Sequence, residues 1–157
     1  MSLEKVKEHL KAYGADERII ILDESSATVE LAAHALHTEP CRIAKTLSFM
    51  LNDSPILVVT AGDVKIDNAK YRHTFGAKAK MLTAEQAVEL IGHAVGGVCP
   101  FGLNDGVTVY LDESLKQYET IFPACGSSNS AIELTIPELE KYSGYKSWVD
   151  VTKAKEQ

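Results

Sequence analysis

Two apolar runs, IAKTLSFML at 43–51 and PILVVTAG at 55–62, follow one another with the turn residues Asn52 and Asp53 between them. Asn and Asp tolerate the backbone of a tight turn, so the pair predicts a β-hairpin. Both runs are apolar enough to be central strands, and the rest of the chain has to be arranged around them.

On the N-terminal side, Leu3, Val6 and Leu10 recur at helical spacing and Gly14 supplies a stop, which predicts an opening amphipathic helix. Arg18–Leu22 reads as a strand. Thr28 is placed to cap a second helix with Glu30 in its first turn and Leu31, Ala32 and Ala35 inward, ended by Pro40. Beyond the hairpin, Asp67–Phe75 predicts a short helix closed by Gly76, and Thr83 with Gln86 forms a capping box before Ala87, Leu90 and Ile91. Strands are predicted at 106–111, 119–122 and 131–134. A second capping box, Thr135 with Glu138, opens a last helix with Pro137 in its first turn, and 148–151 adds a short strand. Adjacent strands often lack an intervening helix, so the expected class is α+β, a single domain over 1–157 with a mixed sheet.

The length, 157 residues, is that of one domain, and 45% hydrophobic against 24% charged residues is a globular balance. Lys and Arg total 16 against 22 Asp and Glu, a formal charge of −6. That excludes a general nucleic-acid binder held by long-range attraction; contact with a nucleic acid requires a local basic patch. The opening MSLEKVKEHLKAYG is interrupted by charges, unlike a signal peptide, and the longest apolar stretch, near Ile56–Val59, is too short to span a bilayer. Cys41, Cys99 and Cys125 are odd in number and form no C-x-x-C. The expectation is a reduced, cytoplasmic protein with no membrane or DNA partner.

No G-x-G-x-x-G, G-x-x-x-x-G-K-[ST], H-E-x-x-H or G-x-S-x-G occurs, so dinucleotide, P-loop, zincin and serine-hydrolase chemistry lack their usual signals. Three segments remain. Lys45 interrupts an apolar strand and shares the side of Ile43, Leu47 and Phe49, so its ammonium either snorkels out at the sheet edge or is held in a cleft to meet an anionic or carbonyl group. Gly96-Gly97-Val98-Cys99-Pro100-Phe101-Gly102 is either a tight connection or a loop whose bare N–H groups approach a ligand. Cys125-Gly126-Ser127-Ser128-Asn129-Ser130 is equally a hairpin turn or a ligand-facing loop.

Taken in order, TVELAAHAL, CRIAKTLSFML, PILVVTAGDVKID, the G-G-V-x-P-F-G loop, VYLDESL and GSSNSAIELT resemble the YbaK and prolyl-tRNA synthetase insertion-domain family of aminoacyl-tRNA deacylases, over roughly 28–144. The pairing of A-K-T-L with the later glycine loop carries most of that resemblance. It implies a partly barrel-like mixed sheet with surrounding helices. It also implies trans-editing: hydrolysis of the ester joining a wrongly chosen amino acid to tRNA, commonly proline tRNA, with prolyl-tRNA synthetase as a further partner and no metal or other cofactor.

Carried over by position, Lys45 matches the lysine on which activity in the family depends, and Gly96, Gly97 and Pro100 match its pocket loop. An aminoacyl ester is already activated, so placing water and stabilising the oxyanion suffices without a protein nucleophile. Backbone N–H groups near Gly96 and Gly97, or near Gly126 and Ser127, are expected to receive that charge. Thr28, Thr46, Cys99, Phe101, Ser127 and Ser128 are expected to shape the pocket, Thr46 through its backbone more than its side chain. Where the family pattern places basic residues after the glycine at Gly126, this chain has Ser127-Ser128-Asn129-Ser130. A substitute basic surface is Lys65, Lys70, Arg72, Lys78 and Lys80, against the single acid Asp67 in that span; it reads either as a solvated face or as the site for the acceptor stem.

Two other chemistries are legible. Cys99 with His93 or His73 would make a cysteine hydrolase, and His34 with His37 would begin a metal site. A non-enzyme using the same pocket to bind an aminoacyl-tRNA end or an amino-acid-like ligand is the alternative to the deacylase.

Overall fold

The computed structural model describes residues 2–155. The hairpin read from sequence is β2 (Ile43–Leu51) and β3 (Ser54–Ala61), in unbroken antiparallel register from Leu51↔Ser54 to Ala44↔Ala61, with β1 (Ile20–Ile21) preceding it. Asn52 and Asp53 make the turn in the left-handed region, at φ 48° and 68°. β4 (Val64–Ile66), β5 (Thr108–Asp112), β6 (Thr120–Pro123), β7 (Ser130–Ala131), β8 (Leu134–Thr135), β9 (Ser147–Val149) and β10 (Thr152–Ala154) follow.

Six of these form one sheet in the order β8-β6-β2-β3-β5-β9, which curls into a half-barrel within a single α+β domain. It is mixed: β2 runs parallel to β6, β3 to β5 and β5 to β9, whereas β6–β8 is antiparallel. Alternation along β3 decides its two faces. Leu57 and Val59 join the main core under α1 (Ser2–Lys11), while Ile56 and Val58 pack in a second cluster with Phe49, Tyr71 and Val151.

α2 (Val29–Leu36) starts where Thr28 Oγ1 accepts from the Leu31 N–H at 3.2 Å. Its phase corrects one expectation: Ala32 and Ala33 face Ile43 and Phe122, and Leu31 is 45% exposed. Two small side chains let the helix lie close on the sheet, which a leucine there would prevent. α3 (Asn68–Phe75) is capped by Asp67 and closed by Gly76. α4 (Ala84–Gln86) has the Thr83–Gln86 capping box but widens at once into a π-helical turn, Ala87–Ile91, stopped by Gly92. α5 (Ile136–Ser143) opens on the Thr135–Glu138 box.

Other boundaries shift for local reasons. The strand expected at 18–22 is reduced to β1, because Asp16–Arg18 winds into a 3-10 turn. The strand expected at 131–134 divides into β7, which pairs with β1, and β8, which pairs with β6. β4 and β10 form a separate antiparallel ribbon that has no counterpart in the sequence reading. Asp112 fastens its entry: fully buried, the carboxylate accepts from the Ser114 N–H, the Val151 N–H and Thr152 Oγ1 at 3.0, 2.9 and 2.7 Å.

Candidate functional site

β2 loses its neighbour on one side, and that gap is the mouth of a cleft of about 270 Å³. Its pairing with β6 ends at Ala44↔Pro123. Farther along, the Leu82 N–H donates to the Ser48 carbonyl at 3.1 Å and the Met50 N–H to the Lys80 carbonyl at 2.9 Å. The backbone groups of Ser48 and Met50 therefore point away from β3, and Thr46, in phase with them, does the same. Among the described residues Thr46 has no backbone partner on that side, so its N–H and C=O face the cleft. Its hydroxyl is buried and also lacks a partner.

Lys45 lines the same cleft. It lies on the sheet face between Ile43, covered by α2, and Leu47 and Phe49, which belong to the cluster under α3. Its ammonium is half-buried and donates to the carbonyl of Val64 on β4. Burial pushes its pKa down to about 8; Lys155 adds repulsion, and Glu30 and Asp63 act in the opposite sense. Among the described residues no carboxylate lies within ion-pair distance of it. Both readings of Lys45 from sequence thus meet in one geometry, a lysine that reaches past the strand edge and remains in a cleft wall.

Around this pair the lining is mostly apolar, with Val29, Ala32, Leu47, Phe122 and Val98 among it and Met81 and Val95 exposed at the rim. Thr28 is at the wall; since its oxygen accepts the Leu31 N–H, its O–H remains free to donate inward. Gly96 reaches the wall as well, packed on Ala27. The structure thus brings Thr28, Lys45, Thr46 and Gly96 together. Ser26, Ser48 and Ser130 join them; Ser130 closes the 125–130 segment noted above, and nothing in the sequence singles out Ser26 or Ser48.

The remaining expected pocket residues stand behind that wall. Gly97, Cys99, Pro100, Phe101 and Gly126 are buried and line no part of the cleft. The Gly97 N–H, expected to face an oxyanion, already donates to the Ala94 carbonyl at 3.0 Å. A β-carbon on Gly97 would lie 2.6 Å from the Gly126 carbonyl carbon, so these glycines allow two loops to touch. Ser127 and Ser128 also lie outside the lining. The Ser128 carbonyl accepts the Ser26 N–H at 2.6 Å and Ser127 Oγ bonds Ser130 Oγ at 2.6 Å, so they hold the serines that do line it.

Cys99 and His93 are neighbours, as the cysteine-hydrolase reading requires, with Sγ 3.6 Å from Nε2. Both are fully buried. His93 Nε2 lies 2.7 Å from the Phe101 carbonyl, which fixes its proton there and leaves no lone pair on that nitrogen to deprotonate the thiol. Burial raises the thiol to about 12. The arrangement is a core contact that lines no part of the cleft. His34 and His37 are exposed, and among the described residues no group of three His, Cys, Asp or Glu converges to hold a metal ion. No helix among them is long and apolar enough to cross a membrane.

The residues of the expected basic surface differ in their surroundings, with Arg72 and Lys78 lining one shallow depression. Arg72, Lys78 and Lys80 are exposed, whereas Lys70 Nζ is engaged by Asp150 Oδ1 at 3.1 Å and the Thr152 carbonyl at 2.9 Å. Lys65 is on β4, facing Lys153 of β10.

Known proteins share this architecture. The family model for the aminoacyl-tRNA editing domain matches residues 23–142, spanning the cleft and both glycine loops. The uncharacterized protein YwhH of Bacillus subtilis is 52% identical over 154 residues, 98% of each chain. A proline--tRNA ligase of Halalkalibacterium halodurans is 28% identical over 115 residues, covering 73% of this chain and 20% of the ligase. This chain therefore corresponds to about a fifth of such a ligase. A solved structure described as a candidate trans-editing enzyme for prolyl tRNA synthetase superposes with a TM-score of 0.87 at 29% identity over 98% of each chain. With the hairpin, the open strand edge and the glycine loops all falling inside the matched span, this chain belongs to the aminoacyl-tRNA editing domain family.

Proposed function

We propose that the chain is a trans-editing deacylase, one editing domain that hydrolyses the ester of a mischarged tRNA, proline tRNA first, and needs no cofactor. The observation that carries this reading is Lys45: a cation held in the wall of an apolar cleft, unpaired by any described carboxylate, beside the unpartnered backbone of Thr46. An ester carbonyl placed there gains a positive charge and an N–H donor where negative charge develops, in surroundings that exclude most water and strengthen both.

The chemistry balances without a protein nucleophile. Water adds to the carbonyl carbon, the oxyanion forms toward Lys45 Nζ and the Thr46 N–H, and the bond to the terminal ribose oxygen breaks as the proton given up by that water passes to the ribose oxygen. The products are the free amino acid and uncharged tRNA. The Thr28 hydroxyl and Ser26 and Ser130 orient the amino acid, with Gly96 leaving room at the wall. Gly97, Cys99, Pro100, Phe101, Gly126, Ser127 and Ser128 act from behind as the support of that wall. Arg72, Lys78 and Lys80 offer phosphate contacts to the acceptor stem. The substrate is the erroneous product of prolyl-tRNA synthetase, met in the cytoplasm.

Single-turnover deacylation of proline tRNA carrying alanine, cysteine, serine, threonine or proline tests the reading. Acceleration confined to one or two noncognate amino acids is expected. Equal rates with and without protein on every substrate, alongside measurable binding, would favour a non-catalytic module for the tRNA end.

A further inference from the structure

The ribbon of β4 and β10 adds Lys153 and Lys155 to Lys65 of the surface read from sequence, beside the carbonyl that meets Lys45. The carbonyl that receives the Lys45 ammonium belongs to Val64, and Val64 is paired with Ala154. Ala154 is flanked by Lys153 and Lys155; Lys153 faces Lys65 across the ribbon, and the Lys155 N–H donates to the Asp63 carbonyl at 3.3 Å. Among the described residues Lys65, Lys153 and Lys155 make no ion pair, in contrast to Lys70. Two acids border them: Asp67 spends its carboxylate on the first N–H groups of α3, and Asp63 is exposed.

We propose that this ribbon receives the phosphodiester backbone of the single-stranded 3′ end of tRNA and feeds the acylated ribose to Lys45. The inference rests on the deacylase reading for its substrate. Residues two apart on a strand lie about 7 Å apart on one face, a spacing close to that of successive phosphates along an extended nucleic-acid strand. Lys153 lies on β10 and Lys155 is one residue past its end, held in line by its N–H on the Asp63 carbonyl; both are exposed. The buried Asp112 carboxylate pins Val151 and Thr152 immediately before them, so these lysines stand on a fixed base. On a chain of net charge −6, a local positive track that ends at the cleft also orients the incoming polyanion. Nothing local in VKI or TKA announces this, because the two strands are joined only by the fold.

The test is K153A/K155A, compared with the wild type on full-length mischarged proline tRNA and on the corresponding aminoacyl-adenosine, which has no phosphate. With tRNA the half-saturation concentration is expected to rise at least tenfold, with the saturating rate within threefold. The dependence of log affinity on log salt should fall by about one per lysine. With aminoacyl-adenosine the shift should stay under threefold. An unchanged half-saturation and salt slope on tRNA, or an equal loss on both substrates, overturns the ribbon and leaves the deacylase reading standing. If the wild type hydrolyses no charged tRNA, the deacylase reading fails instead, and binding of tRNA bearing an amide-linked alanine decides the ribbon: a tenfold weakening in K153A/K155A supports it, and equal affinity overturns it.

Discussion

Lys45 and Cys99 are the two side chains in this molecule with the clearest chemical potential, and burial has treated them oppositely. Lys45 is held half-buried at an open strand edge, with one hydrogen bond to Val64 and its remaining donors toward a cleft. Cys99 sits in one of the two glycine-rich loops, next to a histidine, yet the thiol is fully buried and held protonated. Reactivity follows access and protonation state rather than the company a residue keeps in sequence. The same contrast separates the glycines: Gly96 reaches the cleft, whereas Gly97 is consumed by packing on the loop at Gly126 and Gly126 by packing on Ser2 and Val6 of α1.

The sharpest way to break the comparison is to remove each group. Lys45→Ala should lower the single-turnover rate by roughly 100-fold or more, the usual consequence of deleting an oxyanion partner, with the circular dichroism spectrum retained. Cys99→Ala should leave that rate within about threefold, since the buried thiol lines no part of the cleft, and should cost about 1–2 kcal/mol in denaturant unfolding through lost core packing. A Cys99→Ala variant as inactive as Lys45→Ala would restore the cysteine mechanism.

Smaller effects sharpen the account of Lys45. Its pKa is lower folded, about 8, than its ordinary value of 10.5, so between those values the unfolded chain binds more protons and stability rises with pH. Below about pH 8 the buried charge is a liability. Lys45→Met should therefore gain on the order of 1 kcal/mol at pH 7 and show a flatter stability profile from pH 8 to 10.5. Hydrolysis should respond the other way: after subtraction of the spontaneous reaction, the wild-type rate falls above about pH 8 as the ammonium is lost. Glu30, Asp63 and Lys155 are the charged groups that set this value alongside burial.

The smallest expected effect lies away from the cleft. Arg18, at 2.6 Å, holds the Glu138 carboxyl down to about 2, helped by the Thr135 cap. That stabilisation is present above the usual carboxylate range and is lost as pH falls toward 2. With the Arg18 side chain 43% exposed, solvent screens the pair, and Arg18→Ala should cost under about 1 kcal/mol at pH 7 and nothing at pH 2.

The hairpin was legible because two apolar runs flank turn residues, and the two capping boxes because their spacing is local. Lys45 stood out because a cation broke that apolar pattern. Ser26 and Ser48 did not, since with Ser130 they come from three elements that only the fold assembles. β4 and β10 are three residues each and pair across most of the chain, so no periodicity marks them. The glycine loops stay open between tight connections and ligand-facing backbone because sequence does not reveal what fills the space beside a missing side chain; here it is the other loop and α1.

The most direct test is the time course of ester loss from mischarged proline tRNA at pH 7 under single-turnover conditions, with wild type and Lys45→Ala run in parallel. The wild type is expected to outpace buffer on at least one noncognate amino acid while the variant follows the buffer curve. Superimposable wild-type and variant curves, both faster than buffer, would contradict this expectation.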